Sequence, residues 1–326
     1  MKLPPLKELQ YISHPFEVNL KCEFAGVKTR SGLVFHGPEG CGEFAPFKHH
    51  NPQHAALWLK AAIESAYNPV LGGQRVEIPA NGIVPIMNIA DIPDYVRLVL
   101  SQGVKSFKVK CGSDDFADDF ARVMAVRETA PLASIRVDAN GKWNVQQAKD
   151  RIFELNAFAT LEYVEQPVAT LQEMQQLRNL VDVPLAVDEN IRLSSEFNPK
   201  DFQMAADIAI LKAIPSGGVR TALEIAEKID MPIVVSGSMD TSVGLVASLQ
   251  LAANVDELYG ACGIGTGNLL ETDIAQTLLP VNGGIRLQDA APNGKLLEKS
   301  AWLMSHEEKG FWNNYLITCY EILEQM

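Results

Sequence analysis

Short runs of β-branched and apolar residues alternate with helical patterns along the chain from about residue 83 onward. Between the runs, apolar residues recur at three- and four-residue spacing, which is typical of helices that bury one face. The helical segments are FADDFARVMAVRETA, VQQAKDRIFELNAF, LQEMQQLRNLV, VRTALEIAEKI and SVGLVASLQLAANV. The eight predicted strands lie at 83–89, 105–111, 134–139, 161–166, 184–189, 207–212, 232–237 and 257–263. Strands that alternate with helices predict βαβ units and a parallel sheet.

The number of predicted strands favours an α/β fold closed into a (β/α) barrel. An open doubly wound sheet is the alternative, because periodicity alone does not close a ring. The flanks differ: residues 1–82 predict a small α+β unit, with FEVNLKCEFAGV and GLVFHG as hairpin strands and PQHAALWLKAAIESAY as a helix. The tail, about 285–326, predicts one terminal helix. We expect a barrel domain over 83–284, with both flanks packed against it.

The composition is that of an ordinary globular protein, with 47 % hydrophobic and 21 % charged residues, and excludes a disordered chain. A formal net charge of −12 repels phosphate backbones, so nucleic acid is not expected as a partner. No run reaches the roughly 20 apolar residues that span a bilayer, and prolines interrupt the N-terminal segment where a signal peptide would be apolar. The five cysteines are scattered without a CxxC pair, which favours a reducing cytoplasm. No protein partner is evident.

Ionisable residues stand at the carboxyl ends of consecutive predicted strands, each one strand–helix unit from the next. Strands two to six end, in order, in Lys108 and Lys110, Asp138, Glu165, Asp188 and Glu189, and Lys212. This edge is where barrel enzymes place their chemistry. Charged residues are rarely buried unless they are paired or bound to a metal, so the order indicates a functional site rather than packing.

The acidic members of this series are Asp138, Glu165 and Asp188. Three neighbouring carboxylates repel one another without a cation, and hard oxygen ligands favour Mg²⁺, with Mn²⁺ as a possible substitute. The alternative is that each acid caps the helix that follows it, since aspartate is common at helix N-termini. We expect the three acids to bind a metal ion together.

The lysines Lys110 and Lys212 belong to strands that lie four apart in an eight-stranded ring, hence on opposite sides of the barrel mouth. Each could instead form a simple ion pair or extend to solvent. Two facing lysines beside a metal can act together, one removing a proton and the other stabilising the anion that forms. Lys108⁺ and the metal would both lower the pKa of Lys110. This arrangement favours removal of a proton from a carbon beside a carboxylate.

Five motifs at these positions resemble the enolase superfamily and, within it, the two-lysine muconate-cycloisomerase-like subgroup. They are KVK at 108–110, VDAN at 137–140, VEQP at 164–167, VDEN at 187–190 and ILKAIPSGG at 210–218. Strand seven carries no histidine, unlike mandelate-racemase-like members, and strand eight lacks the Asp-x-Asp of dipeptide epimerases. GEFAPF at 42–47, SGSMDTSVG and CGIGTG are most similar to the o-succinylbenzoate synthase family. The resemblance covers roughly residues 15 to 285.

The resemblance implies a modified (β/α)₇β TIM-type barrel with an α+β capping domain built from both termini. It also implies dehydration of the dicarboxylate 2-succinyl-6-hydroxy-2,4-cyclohexadiene-1-carboxylate to 2-succinylbenzoate, a step toward menaquinone. In that reaction Lys110 removes the α-proton and returns it to the departing hydroxide on the same face, while Lys212 stabilises the enediolate from the other face.

Further residues would support this site. Asn140 would support the metal shell or the acidic loop, beside Glu189. Backbone and hydroxyl donors to the substrate carboxylates would come from Ser236, Gly237, Ser238, Gly265 and Thr266. The active-site loop of relatives is expected to be short here, around 14–28. His49, His50 and His54 are interpreted as surface residues, because a zinc site needs three or four ligands.

Other functions remain open at this point. Racemisation of N-succinylamino acids would use the same metal and lysines, with both lysines acting as acid and base. A Schiff-base aldolase would use one lysine and would need no metal. A non-catalytic binding protein would require a broken catalytic set, whereas all three acids and both lysines are present.

Overall fold

The computed structural model describes residues 3–69, 71–192 and 197–326. The strands are β1 (Ser13–Phe24), β2 (Val27–His36), β3 (Cys41–Phe44), β4 (Glu77–Pro79), β5 (Gly82–Val84), β6 (Ser106–Lys110), β7 (Ser134–Asp138), β8 (Leu161–Glu165), β9 (Leu185–Val187), β10 (Ile208–Leu211), β11 (Ile233–Val235) and β12 (Gly284–Arg286). The α-helices are α1 (Leu6–Ile12), α2 (Pro52–Tyr67), α3 (Ile92–Ser101), α4 (Phe116–Thr129), α5 (Val145–Ala159), α6 (Leu171–Arg178), α7 (Glu189–Arg192), α8 (Pro199–Ala205), α9 (Val219–Ile229), α10 (Ser242–Asn254), α11 (Gly294–Leu303) and α12 (His306–Gln325).

A parallel sheet in the order β11-β10-β9-β8-β7-β6-β5 curls into a ring. The segment 257–263 closes that ring, because it bridges β11 on one side and the residues before β5 on the other. On the second side, the Asn81 amide donates to the Cys262 carbonyl over 2.8 Å and the Cys262 amide donates to the Pro79 carbonyl over 2.7 Å. The predicted barrel is confirmed, and the open doubly wound sheet is excluded.

Alternate residues of each strand point into the barrel, as the two-residue period of a strand requires. Below the strand ends, the inward positions of β8 to β11 are apolar and form one buried cluster of Tyr163, Ala186, Ile208, Ile210 and Val234. On β6 and β7 the inward positions are polar, and Lys108 and Arg136 are almost fully buried there. Beneath the barrel mouth, the interior therefore has an apolar side and a charged side.

Helices cover the outside of the barrel, and residues with short polar side chains cap their N-termini. Asn144 accepts the amide of Gln147 at the start of α5, and Thr170 accepts the amide of Glu173 at the start of α6; each pair forms a reciprocal capping box. The caps therefore come from loop residues several positions after each strand. This leaves the strand-end acids free for another use.

The flanking segments form a cap from both ends of the chain. Strands β1, β2 and β3 make an antiparallel sheet, and α2 packs against β3. From the C-terminal side, α12 packs on α2, α11 packs on β1, and β12 pairs with β4. The capping unit expected from the resemblance is present, while the boundaries at residue 82 and about 285 stay predictions. Within the described ranges, no helix combines the length and apolarity needed to cross a membrane.

Gly42 lies where β3 passes directly over α2. A β-carbon at this position would overlap the backbone carbonyl of Ala62. We expect Gly42→Ala to lower the free energy of unfolding by about 1–3 kcal/mol, as other overpacked sites do. Chemical denaturation measures this. The control is Gly310→Ala in α12, where a β-carbon would meet no atom and should raise stability by about 0.5–1 kcal/mol. Equal effects would contradict the packing argument.

Candidate active site

A cavity of about 750 Å³ opens at the carboxyl ends of the barrel strands. Its floor is formed by strand-end residues of the barrel, and its roof is formed by two segments of the cap. The roof segments are the turn of the β1–β2 hairpin (23–26) and the stretch 47–50 that precedes α2. The cavity encloses the region where the sequence predicted the chemistry.

Strand register brings the predicted ionisable residues together. Lys110 lies opposite Asp138 across β6 and β7, and Asp138 lies opposite Glu165 across β7 and β8. The Lys110 Nζ donates to Asp138 Oδ2 over 2.5 Å, and Lys108 Nζ donates to Glu165 over 2.8 Å. Lys108 also lies 3.5 Å from Asp138.

A second cluster forms on the far side of the ring. Lys212, which follows β10, donates to Asp188 Oδ2 over 2.5 Å. The carboxylates of Asp138, Glu165 and Asp188 are each only 1 % exposed, whereas Lys110 and Lys212 keep 15 % and 16 % exposure toward the cavity. The two lysines can therefore reach a bound molecule from opposite sides.

Burial and neighbouring charges set the ionisation of this cluster. Burial alone would raise the pKa of Asp138, but Lys110 and Lys108 hold it below its ordinary value. Lys212 and Arg192 likewise outweigh burial and lower the pKa of Asp188. Burial, reinforced by the charge of Asp138, raises the pKa of Glu165 to about 8. Although burial opposes it, Glu165 raises the pKa of Lys108, which therefore stays charged.

The alternative role of the acids as helix caps is wrong for Asp138 and Glu165. The helix after β7 is capped by Asn144 and the helix after β8 by Thr170. Both acids instead point to lysines in the barrel mouth. These buried acids therefore form ion pairs with lysines and do not cap the helices that follow.

The donor chemistry of the three acids fits a hard divalent cation, because all are buried carboxylates at adjacent strand ends. Burial is the largest cause of the raised pKa of Glu165 and the charge of Asp138 adds to it, so a bound cation would favour the ionised form of this carboxylate. Each carboxylate is turned toward a lysine, and in that arrangement no group of three His, Cys, Asp or Glu side chains in the described ranges could already hold a metal ion. Binding would require the acids to exchange lysine contacts for the ion.

Asn140 and Glu189 connect the two charge clusters. The Asn140 amide oxygen accepts from Lys110 over 2.9 Å, and its Nδ2 donates to Glu189 over 3.1 Å. Asn140 has φ +48°, a left-handed conformation that asparagine tolerates. Burial and the charge of Asp188 raise the pKa of Glu189, whose Oε2 is buried with no partner among the described atoms.

The loops after β11 and the segment 257–263 line the other wall. The backbone amides of Ser236, Gly237 and Ser238 are already engaged, by the Leu211 carbonyl, the Gly263 carbonyl and Asp240. The hydroxyls of Ser238 and Thr266 are buried without a partner in the described structure, and both residues line the cavity. Side-chain hydroxyls rather than backbone amides are thus the donors available here.

Gly265 does not line the cavity. Its role is steric, because a β-carbon there would overlap the carbonyl oxygen of Asn81, beside β5. Gly237 is less constrained than the sequence suggested, since a β-carbon would come no closer than 3.3 Å to its neighbours. Of these two glycines, Gly265 is therefore the one that must lack a side chain.

Comparison with known proteins gives the family. The chain matches the family model for the enolase C-terminal domain-like fold over residues 92–292 and the enolase N-terminal domain-like model over 16–66. It is 38 % identical to the o-succinylbenzoate synthase of Mycolicibacterium smegmatis, covering 98 % of this chain and 99 % of that one. The enzyme of the same name from Mycobacterium leprae is 39 % identical over 98 % of this chain and 95 % of its own. The chain belongs to the o-succinylbenzoate synthase family of the enolase superfamily.

Solved structures agree on the fold. The muconate lactonizing enzyme from Pseudomonas fluorescens has a TM-score of 0.76 at 17 % identity, covering 88 % of this chain and 97 % of its own. The N-succinyl Arg/Lys racemase from Bacillus cereus has a TM-score of 0.73 at 20 % identity, covering 88 % and 96 %. Membership of this family makes the protein a lyase with a small-molecule substrate and implies dependence on a divalent metal ion.

The sequence did not indicate which cap residues reach the site. The hairpin strands expected in FEVNLKCEFAGV and GLVFHG are confirmed, since residues 13–24 and 27–36 are paired strands, and within 14–28 only the turn region reaches the cavity. A loop shorter than that of relatives stays a prediction. Phe24 in that hairpin lies 5.5 Å from Lys110 Nζ, measured to the ring centroid. The alternating pattern in FEVNLKCEF was the signal for these strands, but it says nothing of what the turn covers.

The interpretation of the histidines as surface residues is wrong for His50. This side chain lines the cavity, and its Nδ1 is buried with no partner among the described residues. It packs edge-on against Trp58 at 5.6 Å between ring centroids. Burial, with His49 and Arg192 nearby, lowers the pKa of His50 to about 4. Arg192, which also lines the cavity, carried no sequence signal.

His50 should make stability depend on pH. Its pKa in the folded protein, about 4, lies below its ordinary value of 6.5, so protonation favours the unfolded chain. The free energy of unfolding should therefore fall as the pH drops from 6.5 toward 4. We expect His50→Gln to flatten that part of the profile in denaturant titrations, whereas His306→Gln, at an exposed position, should leave it unchanged. An unaltered slope in His50→Gln would contradict the assignment.

Proposed function

We propose that the protein is an o-succinylbenzoate synthase that dehydrates 2-succinyl-6-hydroxy-2,4-cyclohexadiene-1-carboxylate to 2-succinylbenzoate, a step toward menaquinone. The observation that carries this proposal is the placement of two lysines, each paired with a buried carboxylate, on opposite sides of one cavity. Relatives that match along nearly the whole chain support the substrate assignment.

Lys110 is the proposed base and acid. It would remove the proton from the ring carbon that bears the carboxylate, and the resulting ammonium would return that proton to the hydroxide leaving from the neighbouring carbon. One C–H bond and one C–O bond break, a ring double bond forms, and water departs. Asn140 accepts from Nζ over 2.9 Å, a contact that does not involve a proposed metal ligand, which supports a fixed direction of proton transfer.

Lys212 is the proposed electrostatic partner. It approaches from the opposite side of the cavity, and its ammonium would stabilise the negative charge that develops on the substrate carboxylate. It transfers no proton in the dehydration. It contacts Asp188, and exchange of that contact for a metal ion would leave the ammonium available to the substrate.

Asp138, Glu165 and Asp188 are the proposed ligands of Mg²⁺, for which Mn²⁺ could substitute. When bound, the ion would supply positive charge to the substrate's ring carboxylate. Lys108 would remain beside Glu165 and Asp138 and limit their mutual repulsion. Glu189 and Asn140 would hold the loops that carry these acids.

The cavity can attract a dicarboxylate although the chain is acidic overall. Five cationic side chains line it, namely Lys108, Lys110, Lys142, Arg192 and Lys212. The second carboxylate of the substrate is proposed to bind near the free hydroxyls of Ser238 and Thr266. All five cysteines are free, which supports a cytoplasmic location.

Other reactions are less well supported. A Schiff-base aldolase would need one lysine and no metal ion, so it leaves the three buried carboxylates at the strand ends without a role; loss of activity on metal removal separates it from the synthase. A non-catalytic binding protein has no need of such costly buried charges. Racemisation of N-succinylamino acids remains the alternative, and the lysine variants below separate it.

The metal proposal predicts stabilisation by Mg²⁺. Thorough metal removal should abolish activity. Added Mg²⁺ should raise the melting temperature of the wild-type protein, because at a hundredfold excess over Kd it adds about 2.7 kcal/mol to the free energy of unfolding. Asp188→Asn should lose most of that shift. Asp94→Asn, which alters an exposed ion pair on α3, should keep it. An Mg²⁺-induced shift that survives in Asp188→Asn would rule out this ligand set.

The two lysines should respond differently to arginine. Lys110→Arg should lose turnover, because general acid–base groups contribute about 10²–10⁴-fold and arginine stays protonated. Lys212→Arg should retain part of the synthase activity, since it keeps a fixed positive charge. Exchange of the substrate α-proton with deuterated solvent measures the difference. Equal loss of exchange in both variants would instead favour the racemase-like mechanism.

A further inference from the structure

The motif GEFAPF carries a buried acid that the reaction does not use. Glu43 lies in β3 of the cap and is 3 % exposed. Its carboxylate reaches across to the barrel and accepts from the Thr241 amide over 3.2 Å, the Thr241 hydroxyl over 2.5 Å and the Gly244 amide over 3.0 Å. Glu43 thus holds the first turn of α10 from outside the barrel.

A buried arginine side chain from the cap contacts the same region. Arg30, in β2, donates through Nε to the Met239 carbonyl over 3.1 Å and through its terminal nitrogen to the Ala45 carbonyl. Its guanidinium also lies 4.1 Å from the ring centroid of Phe47, which forms part of the cavity roof. Arg30 therefore connects the roof to the loop after β11.

The loop so held, residues 236–241, is strained and faces the cavity. Met239 has φ +60°, a left-handed conformation that a non-glycine residue adopts only when its surroundings enforce it. Asp240 accepts the Ser238 amide over 2.8 Å and tightens the turn. Ser236, Ser238 and Met239 all line the cavity.

We propose that Arg30 and Glu43 are positioning residues that hold the 236–241 turn in the conformation that binds substrate, so that the cap controls affinity through this turn. The inference rests on the proposed function, since it assigns the turn to substrate binding. The turn lies apart from the Lys110–Asp138 pair, which is carried by β6 and β7. Loosening it should therefore weaken binding much more than it slows the chemical step.

The variants are chosen to break individual contacts. Glu43→Gln preserves size but replaces one acceptor oxygen with a donor that faces backbone amides. Arg30→Lys preserves charge, but a single ammonium cannot reproduce the guanidinium's two directed contacts. The matched control is Glu64→Gln. Glu64 lies in α2 of the cap and accepts the Arg220 amide at the start of α9, the same type of cap-to-helix contact away from the turn.

The expected result is a split between binding and turnover. KM for the cyclohexadiene substrate, and Kd for 2-succinylbenzoate by calorimetry, should both rise about tenfold in Glu43→Gln and Arg30→Lys, with kcat changed far less. Glu64→Gln should lower the melting temperature at most and leave KM and Kd unchanged. Amide hydrogen exchange of the metal-loaded proteins without substrate should be faster over 236–241 only in the first two variants.

Three outcomes would overturn the inference. They are unchanged exchange over 236–241 in Glu43→Gln and Arg30→Lys, faster exchange with unchanged KM and Kd, or equal effects in Glu64→Gln. If Glu43→Gln or Arg30→Lys does not fold, the KM, Kd and hydrogen exchange of the other variant still test the inference. If the wild-type protein neither converts the substrate nor binds the product, the proposed function fails instead, and hydrogen exchange still reports whether the turn is held.

Discussion

The structure depends on burying three carboxylates beside three lysines at one end of a closed barrel. An isolated charge is too costly to bury, so Asp138, Glu165 and Asp188 are tolerable only because Lys108, Lys110 and Lys212 lie within ion-pair distance. That pairing requires the parallel register of β6, β7 and β8, which places successive strand ends side by side. The strand register of the fold thus also sets the positions of the charged groups in the candidate site.

The cap covers the site that the barrel strands form at their carboxyl ends. The barrel mouth alone would leave the lysines in water, where a nearby charge has little influence. The β1–β2 turn and the stretch 47–50 cover the mouth, and Arg30 and Glu43 tie that cover to the loop after β11. The barrel and cap thereby gather cationic side chains at one cavity of an acidic chain, where Lys108, Lys110 and Lys212 are each paired with a buried carboxylate.

Much of the fold and of the candidate site was predictable from local sequence patterns. The strand–helix alternation predicted the barrel, and the acids and lysines at successive strand ends predicted a site, since parallel strands deliver their carboxyl ends to one edge. The helix PQHAALWLKAAIESAY was predicted with its observed bounds. His50 was misread because its exposure depends on Trp58 and the cavity roof, which local sequence does not describe. The hairpin strands β1 and β2 were predicted, but the position of their turn over the cavity depends on packing against the barrel, which the strand pattern does not describe.

The sequence by itself determined the order of elements, the sheet type and the identity of the ionisable groups, because those follow from side-chain periodicity and from which residue ends each strand. Only the tertiary structure decided which lysine pairs with which acid, which donors of the 236–238 loop are already used, and which cap residues close the cavity. Those properties depend on contacts between segments far apart in the chain, such as Arg30 with Met239 and Glu43 with Thr241. Burial, which sets the cost and the strength of each charge interaction, exists only after those segments have packed together.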